Sequence, residues 1–206
     1  VIGALLVLVD QIVSLVWPAG PAAVLDTFFL VAVTGAFHLD GLGDTADGMF
    51  SHRPKERVLE IMKDSRTGMM GLVAVVSVLA VKAAGLYAMK MTLSEGKLAV
   101  FLFIIPAYAR ASMIFGIRFL NYGRTGAGTG LDLFERPLGS GDFVFFALPL
   151  IISVFLGVQA LVLNTVFALT LFLVLLFYKR KLDCITGDML GALNEVMEAV
   201  LFLTAG

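Results

Sequence analysis

The chain has 206 residues, 59% of them hydrophobic and 15% charged, with a mean hydropathy of +0.96 and a net charge of −1. That composition excludes an ordinary water-soluble globule, and the lone cysteine, Cys184, excludes an intrachain disulfide and a cysteine-based zinc cluster. Apolar stretches of nearly 20 residues recur, the length a helix needs to cross the hydrocarbon core. The fold class expected is therefore all-α: a polytopic integral membrane bundle of six to seven transmembrane helices, forming one catalytic domain over residues 1–206. The charge sum points to no partner, because distribution matters more than total; the lipid bilayer is the expected surrounding and no nucleic acid is expected.

Residues 1–16 read as the first span, apolar from Val1 and expected to be shortened at its front, without the basic leader of a signal peptide. Trp17-Pro18-Ala19-Gly20-Pro21 is the turn that ends it. Asp10 lies in mid-span, where a carboxylate is costly and should face the bundle interior beside a structural partner. A second span, residues 22–37, delivers the chain to His38-Leu39-Asp40-Gly41-Leu42-Gly43-Asp44-Thr45-Ala46-Asp47-Gly48.

This acidic stretch is the centre of the sequence. Asp40, Asp44 and Asp47 are spaced i, i+4, i+7, which on a helix is one face, with the outer pair on the order of 10 Å apart. Like charges one turn apart repel, and no lysine or arginine lies within the eleven residues. A divalent cation, Mg²⁺ or alternatively Mn²⁺, is the expected counter-ion, with Asp40, Asp44 and Asp47 as its ligands. Glycines 41, 43 and 48 either break that helix or let a ligand approach its backbone; the competing reading is a polar loop facing water.

Residues 51–66, SHRPKERVLEIMKDSR, carry too much charge to span and read as an amphipathic helix on the membrane surface, with Pro54 in its first turn. The third span runs over residues 69–89. The fourth covers residues 98–119 and contains Pro106 and Arg110, an arginine that needs an anionic partner or a wet cavity at that depth. A glycine-rich loop, residues 121–141, holds Arg124, Gly126 and Gly128. Its backbone amides suit phosphate oxygens, although it matches no Walker pattern. Residues 143–156 and 161–178 are two further spans, and Lys179-Arg180-Lys181 leads to the last, residues 189–203, which carries Asn194, Glu195 and Glu198.

If all seven segments cross, the loops after spans two, four and six share one side. That side holds eleven basic residues against three on the other (Lys90, Lys97 and a snorkelling Lys82), so it should be cytoplasmic. Every chemically promising motif falls there. Asp188 and Glu195, at i and i+7, with Glu198 continuing the face, can approach the first acidic cluster from across the bundle. Carboxylates for a metal and arginines for phosphate oxygens are the components of phosphoryl transfer. The phosphate-binding candidates are Arg53, Arg66, Arg110 and Arg124 with Gly126 and Gly128. Arg110 has a competing role, neutralising Asp10 or Glu195. His38 is the leading candidate for a general base and His52 a second.

HLDGLGDTADG, followed by LEIMKDSRTGMMG, then Pro106 to Arg110, YGRTGAGTG and TGDMLGALNE, resembles the successive blocks of the cobalamin synthase (adenosylcobinamide-GDP ribazoletransferase) family. The resemblance covers nearly the whole chain after the second span; the front is shorter than is usual in that family. It implies joining α-ribazole, or its 5′-phosphate, to adenosylcobinamide-GDP with release of GMP, and magnesium as cofactor. Roles carry over to the acidic block, to Asp64 and to the block holding Asp188 and Glu195, so His38, Asp64, Asp188 and Glu195 are the catalytic candidates. It further implies a multi-pass protein of a prokaryotic inner membrane with its site facing the cytoplasm. The number of chains that assemble stays open, a homo-oligomer included. Two other readings remain at this point: a CDP-alcohol phosphotransferase, against which the expected alanine-arginine ending of the acidic block is missing, and a divalent-cation transporter using Asp10, Asp40, Glu195 and Glu198.

Overall fold

A computed structural model describes residues 1–64, 66–123, 132–135 and 138–206. Among them the secondary structure is helical, and the one β-type pairing is an isolated parallel bridge between Tyr122 and Ile185. The all-α membrane bundle expected from composition is what forms.

Helix α1 (Ile2–Ser14) ends before the Trp17-Pro18 turn, and Pro18, extended at ψ 164°, caps α2 (Ala19–Val33). The chain then breaks sharply. Gly35 and Ala36 are both left-handed, with φ of +57° and +58°. For alanine that conformation costs roughly 1–2 kcal/mol, so the surroundings must impose it. Helix α3 (Phe37–Met49) leaves α2 at 89°. It contains the complete acidic stretch without interruption, so glycines 41, 43 and 48 do not break it.

The expected surface helix is shorter than its charge pattern suggested. Helix α4 (Lys55–Ile61) has Pro54 as its N-cap rather than in its first turn, and it tucks Val58 and Met62 against α3. Two long helices follow, α5 (Met69–Thr92) and α6 (Glu95–Phe119). After the four-residue α7 (Asp132–Glu135) and a 3-10 turn at Ser140–Phe143 come α8 (Val144–Ser153) and a second 3-10 turn, Val154–Leu156. Helix α9 (Val158–Lys181) is the third long one, and α10 (Gly187–Ala205) closes the chain.

The number of spans differs from the six to seven expected. Among the described residues α5, α6 and α9 are long and apolar enough to cross a membrane, with a fourth span if α2 and α3 count as one bent helix. The reasons are local. Thirteen residues of α1 rise about 20 Å, short of the roughly 30 Å of a hydrocarbon core. The second segment is turned at Gly35, and α8 gives way to a 3-10 turn.

The last segment is not a lipid-facing span at all. Thirteen of the nineteen residues of α10 are buried, and it packs against α3, α5, α6 and α9. It is the axis of the bundle, while α5 and α9 turn residues such as Val73, Val76, Phe172 and Leu173 outward. That arrangement lets an acidic helix lie inside a greasy protein, shielded from lipid by its neighbours.

Candidate active site

The site is built where α3 crosses the start of α10. Gly41 makes the crossing possible: a Cβ there would stand 2.8 Å from the Asp188 carbonyl oxygen, so the two backbones nearly touch. One turn further along α10, a Cβ on Gly191 would meet the His38 Cα at 3.1 Å. Glycine lowers helix stability by about 1 kcal/mol against alanine; here close packing of two helices replaces what is lost. Thr186 caps α10, its hydroxyl accepting the Met189 amide at 3.3 Å. Tyr178 of α9 donates its hydroxyl to the Met189 carbonyl at 3.0 Å. Backbone bonds between Asn121 and Ile185 and between Gly123 and Ile185, both 2.9 Å, bring the end of α6 to the same place.

Along α3, Asp40 is exposed, while Asp44 and Asp47 are half-buried. Asp47 has a definite task. Its two carboxylate oxygens accept the amides of Gly68 at 2.6 Å and Gly71 at 2.8 Å, the N-cap and third residue of α5. It therefore satisfies two of the orphan donors at that helix end and meets its partial positive charge. Its share in metal binding is limited to lone pairs those amides leave. Asp40 and Asp44 stand one turn apart on the same helix, and the Asp188 backbone at the start of α10 packs on Gly41 between them.

These donors are all carboxylate oxygen, the ligand type of a hard cation. Among the described residues no three His, Cys, Asp or Glu side chains are grouped closely enough to hold an ion by themselves. Magnesium commonly takes one or two carboxylates and completes its shell with water and substrate phosphates.

Beneath the aspartate helix lies a buried ion cluster. Lys82 of α5 reaches Glu195 at 2.7 Å and Glu198 at 2.6 Å on α10, and Arg110 of α6 pairs with the other oxygen of Glu198. Lys82 and Glu198 are each 1% exposed. Two cations and two carboxylates sum to zero, which is how four charges are tolerated at that depth. The sequence suggested a snorkelling Lys82; the structure corrects this, because its ammonium points inward to two acids. The signal was present in the Glu195/Glu198 i, i+3 spacing and in a lone lysine within an apolar helix.

His38 sits half-buried above this cluster, within electrostatic reach of Arg110, Glu198 and Lys82, and its Nδ1 is buried without a hydrogen-bond partner. Arg110 donates to the Pro106 carbonyl at 3.2 Å, and its Nε likewise lacks a partner. Glu195 is thus occupied by Lys82 and buried within the bundle.

Asp64 and Arg66 form an exposed fork on the loop entering α5: Arg66 Nε donates to Oδ1 at 3.0 Å and Nη2 to Oδ2 at 2.6 Å. The Arg66 bonds hold the Asp64 carboxyl down, to about 2. Arg66 is 86% exposed. Arg53 is exposed, and His52 beside it takes a left-handed backbone at φ +54°. Arg124, Gly126 and Gly128 lie outside the described residues. A second buried cluster, Lys90 with Asp10 and Asp26, occupies the far end of α5. It supplies the structural partner expected for Asp10, which is Lys90 and not Arg110.

A helical membrane protein with a polar, carboxylate-bearing site at one end of its bundle is the class these features define. Its sequence places it more narrowly. The chain belongs to the Cobalamin-5-phosphate synthase family, whose model matches residues 1–206. It is 32% identical to an adenosylcobinamide-GDP ribazoletransferase of Acetivibrio thermocellus, over 98% of this chain and 81% of that one. The enzyme of the same name from Alkaliphilus metalliredigens is 36% identical over 98% and 79% of the two chains. That of Clostridium novyi is 37% identical over 83% and 67%. No solved structure matches the chain. The CDP-alcohol phosphotransferase and cation-transporter readings receive no support from these comparisons.

Proposed function

We propose that this chain is an adenosylcobinamide-GDP ribazoletransferase, in keeping with its family and the names of its relatives. In this reaction a hydroxyl of α-ribazole, or of its 5′-phosphate, attacks the phosphorus that carries the cobinamide. A new O–P bond forms, the pyrophosphate bond breaks, GMP leaves with the bridging oxygen, and the hydroxyl proton passes to a base. The observation that carries the reading is the meeting of the unbroken acidic helix α3 with the start of α10 at Gly41 and Asp188.

Asp40 and Asp44 are the residues we assign to magnesium, or manganese, together with the pyrophosphate oxygens. Bound there, the ion would supply charge neutralisation for the departing GMP. His38 is the residue we assign as the base, on its place in α3 at the crossing with α10, beside Asp40. Arg66 exchanges Asp64 for the pyrophosphate, which the planar guanidinium meets with the same two-pronged geometry. Asp188 and the amide end of α10 frame the opposite wall. The Lys82–Glu195–Glu198–Arg110 cluster fixes the relative positions of α5, α6 and α10 beneath them.

We further place the site on the cytoplasmic face of a prokaryotic inner membrane, because Lys63 and Arg66 before α5, Arg118 at the end of α6 and Lys179, Arg180 and Lys181 at the end of α9 outnumber Lys97 near the start of α6. The test is direct. Purified protein incubated with adenosylcobinamide-GDP, α-ribazole and Mg²⁺ should release GMP and form the cobalamin in equal amounts, and chelation should stop both. No GMP release under these conditions, with the protein folded, overturns the assignment.

A further inference from the structure

A groove of about 700 Å³ lies between α6, α8 and α9, and no step of the proposed reaction uses it. Its wall is built from phenylalanine rings that pack on one another. Phe115 meets Phe146 edge-on at 5.1 Å, and Phe146 stacks on Phe167 at 5.4 Å. Edge-on and offset-stacked contacts of this kind are the preferred arrangements of aromatic pairs. Its floor is closed by Asn164, which donates to Ser153 at 3.1 Å and accepts from the Tyr108 hydroxyl. These polar groups satisfy each other, so the floor asks for nothing polar.

The mouth differs. Lys179 lines it, exposed, in the last turn of α9, with Arg180 and Lys181 following. From Asn164 to Lys179 the helix is unbroken for 15 residues, a rise of about 22 Å. Half of a bilayer measured to its headgroups is about 20–22 Å. The groove therefore has the length of one leaflet, an apolar body and a cationic lip.

We propose that this groove is a binding site for an anionic phospholipid, one acyl chain lying along the phenylalanine wall and the phosphate on Lys179. A soluble phosphate would use the lysine and leave the apolar length empty. A zwitterionic lipid would fill the length and bring no net charge to the lip. Bulk lipid tails are as apolar as the groove, so the charge at the mouth decides which lipid is held, as in other basic clefts between membrane helices. The site bears on α10: Tyr178, next to Lys179, holds the Met189 carbonyl. A lipid seated there braces the end of α9 that supports the start of α10.

The experiment is native mass spectrometry of the detergent-purified chain titrated with dioleoyl phosphatidylglycerol or dioleoyl phosphatidylcholine. Wild type should bind one phosphatidylglycerol at least tenfold more tightly than phosphatidylcholine. Lys179→Gln should erase that preference while leaving chain binding. Ala168→Trp, placing an indole in the groove from an exposed position, should weaken phosphatidylglycerol binding at least tenfold. Glycerol 3-phosphate in tenfold excess should not displace the lipid; displacement would mark a soluble-phosphate site and overturn the proposal. Equal binding of the two lipids by wild type, or an unchanged preference in Lys179→Gln, also overturns it. Should Ala168→Trp not fold, the wild-type and Lys179→Gln results still decide. None of these readouts depends on ribazoletransferase activity.

Discussion

The Asp47 carboxylate accepts the Gly71 amide at 2.8 Å, joining the end of the acidic helix to the first turn of α5. With the second bond, from Gly68, it makes one of three collinear aspartates a helix cap. The three should therefore respond differently to substitution. Asp47→Ala should lower stability by about 0.5–2 kcal/mol, the range for losing a helix cap, and reduce activity with it. Asp44→Asn should abolish turnover while the protein still folds. Thermal unfolding in detergent alongside a GMP-release assay separates the two. Near-normal activity of Asp44→Asn at limiting magnesium would remove it from the metal site.

Lys82 is a buried cation whose loss leaves its cluster one negative charge in excess. Lys82→Met should destabilise the protein by about 3–5 kcal/mol, the usual consequence of breaking one side of a buried pair. Adding Glu195→Gln restores neutrality, because Glu198 keeps Arg110, and should recover a large part of that loss. A double variant no more stable than Lys82→Met alone would show that Glu195 is not its effective partner.

Arg66→Ala should reduce kcat/KM for the GDP-activated substrate at least tenfold, about 1.4 kcal/mol, while the KM for α-ribazole barely moves. Arg66→Lys should recover only part, since it keeps the charge and loses the fork. Unchanged kinetics for the GDP substrate would assign the pyrophosphate to other residues.

The acid side of the pH profile follows from the same pair. Asp64 has its carboxyl lowered from 3.8 to about 2 by Arg66. A depressed pKa contributes stability that is complete above the unfolded value and is lost as pH falls through the folded one. That window, about pH 4 down to about 2, lies below any working range. Asp64→Asn should therefore leave the acidic limb of the pH–rate profile where it is; a shifted limb would make Asp64 the titrating group.

Cys184 reports orientation. It is buried in the turn between α9 and α10, and burial raises its thiol pKa. Thiolate is the reactive form, so alkylation should be slower than for free cysteine at pH 7 and rise steeply above pH 8. In intact cells an impermeant maleimide should fail at both pH values and succeed at the higher one after permeabilisation. Labelling of intact cells would reverse the proposed topology.

Composition alone settled that this chain is a helical membrane protein, because 59% hydrophobic residues in long runs admit no other solvent. Spacing settled that Asp40, Asp44 and Asp47 share a face, since the 3.6-residue period is a local property. Tertiary structure decided what each does. That Asp47 caps a helix beginning 21 residues later depends on where α5 starts relative to α3. Lys82 looked like a snorkelling residue because its partners lie 113 and 116 positions away; no periodicity within α5 contains them. For the last segment the expectation of a span failed for the same reason. Hydropathy measures how greasy a segment is, not whether lipid or protein surrounds it, and α10 is surrounded by protein.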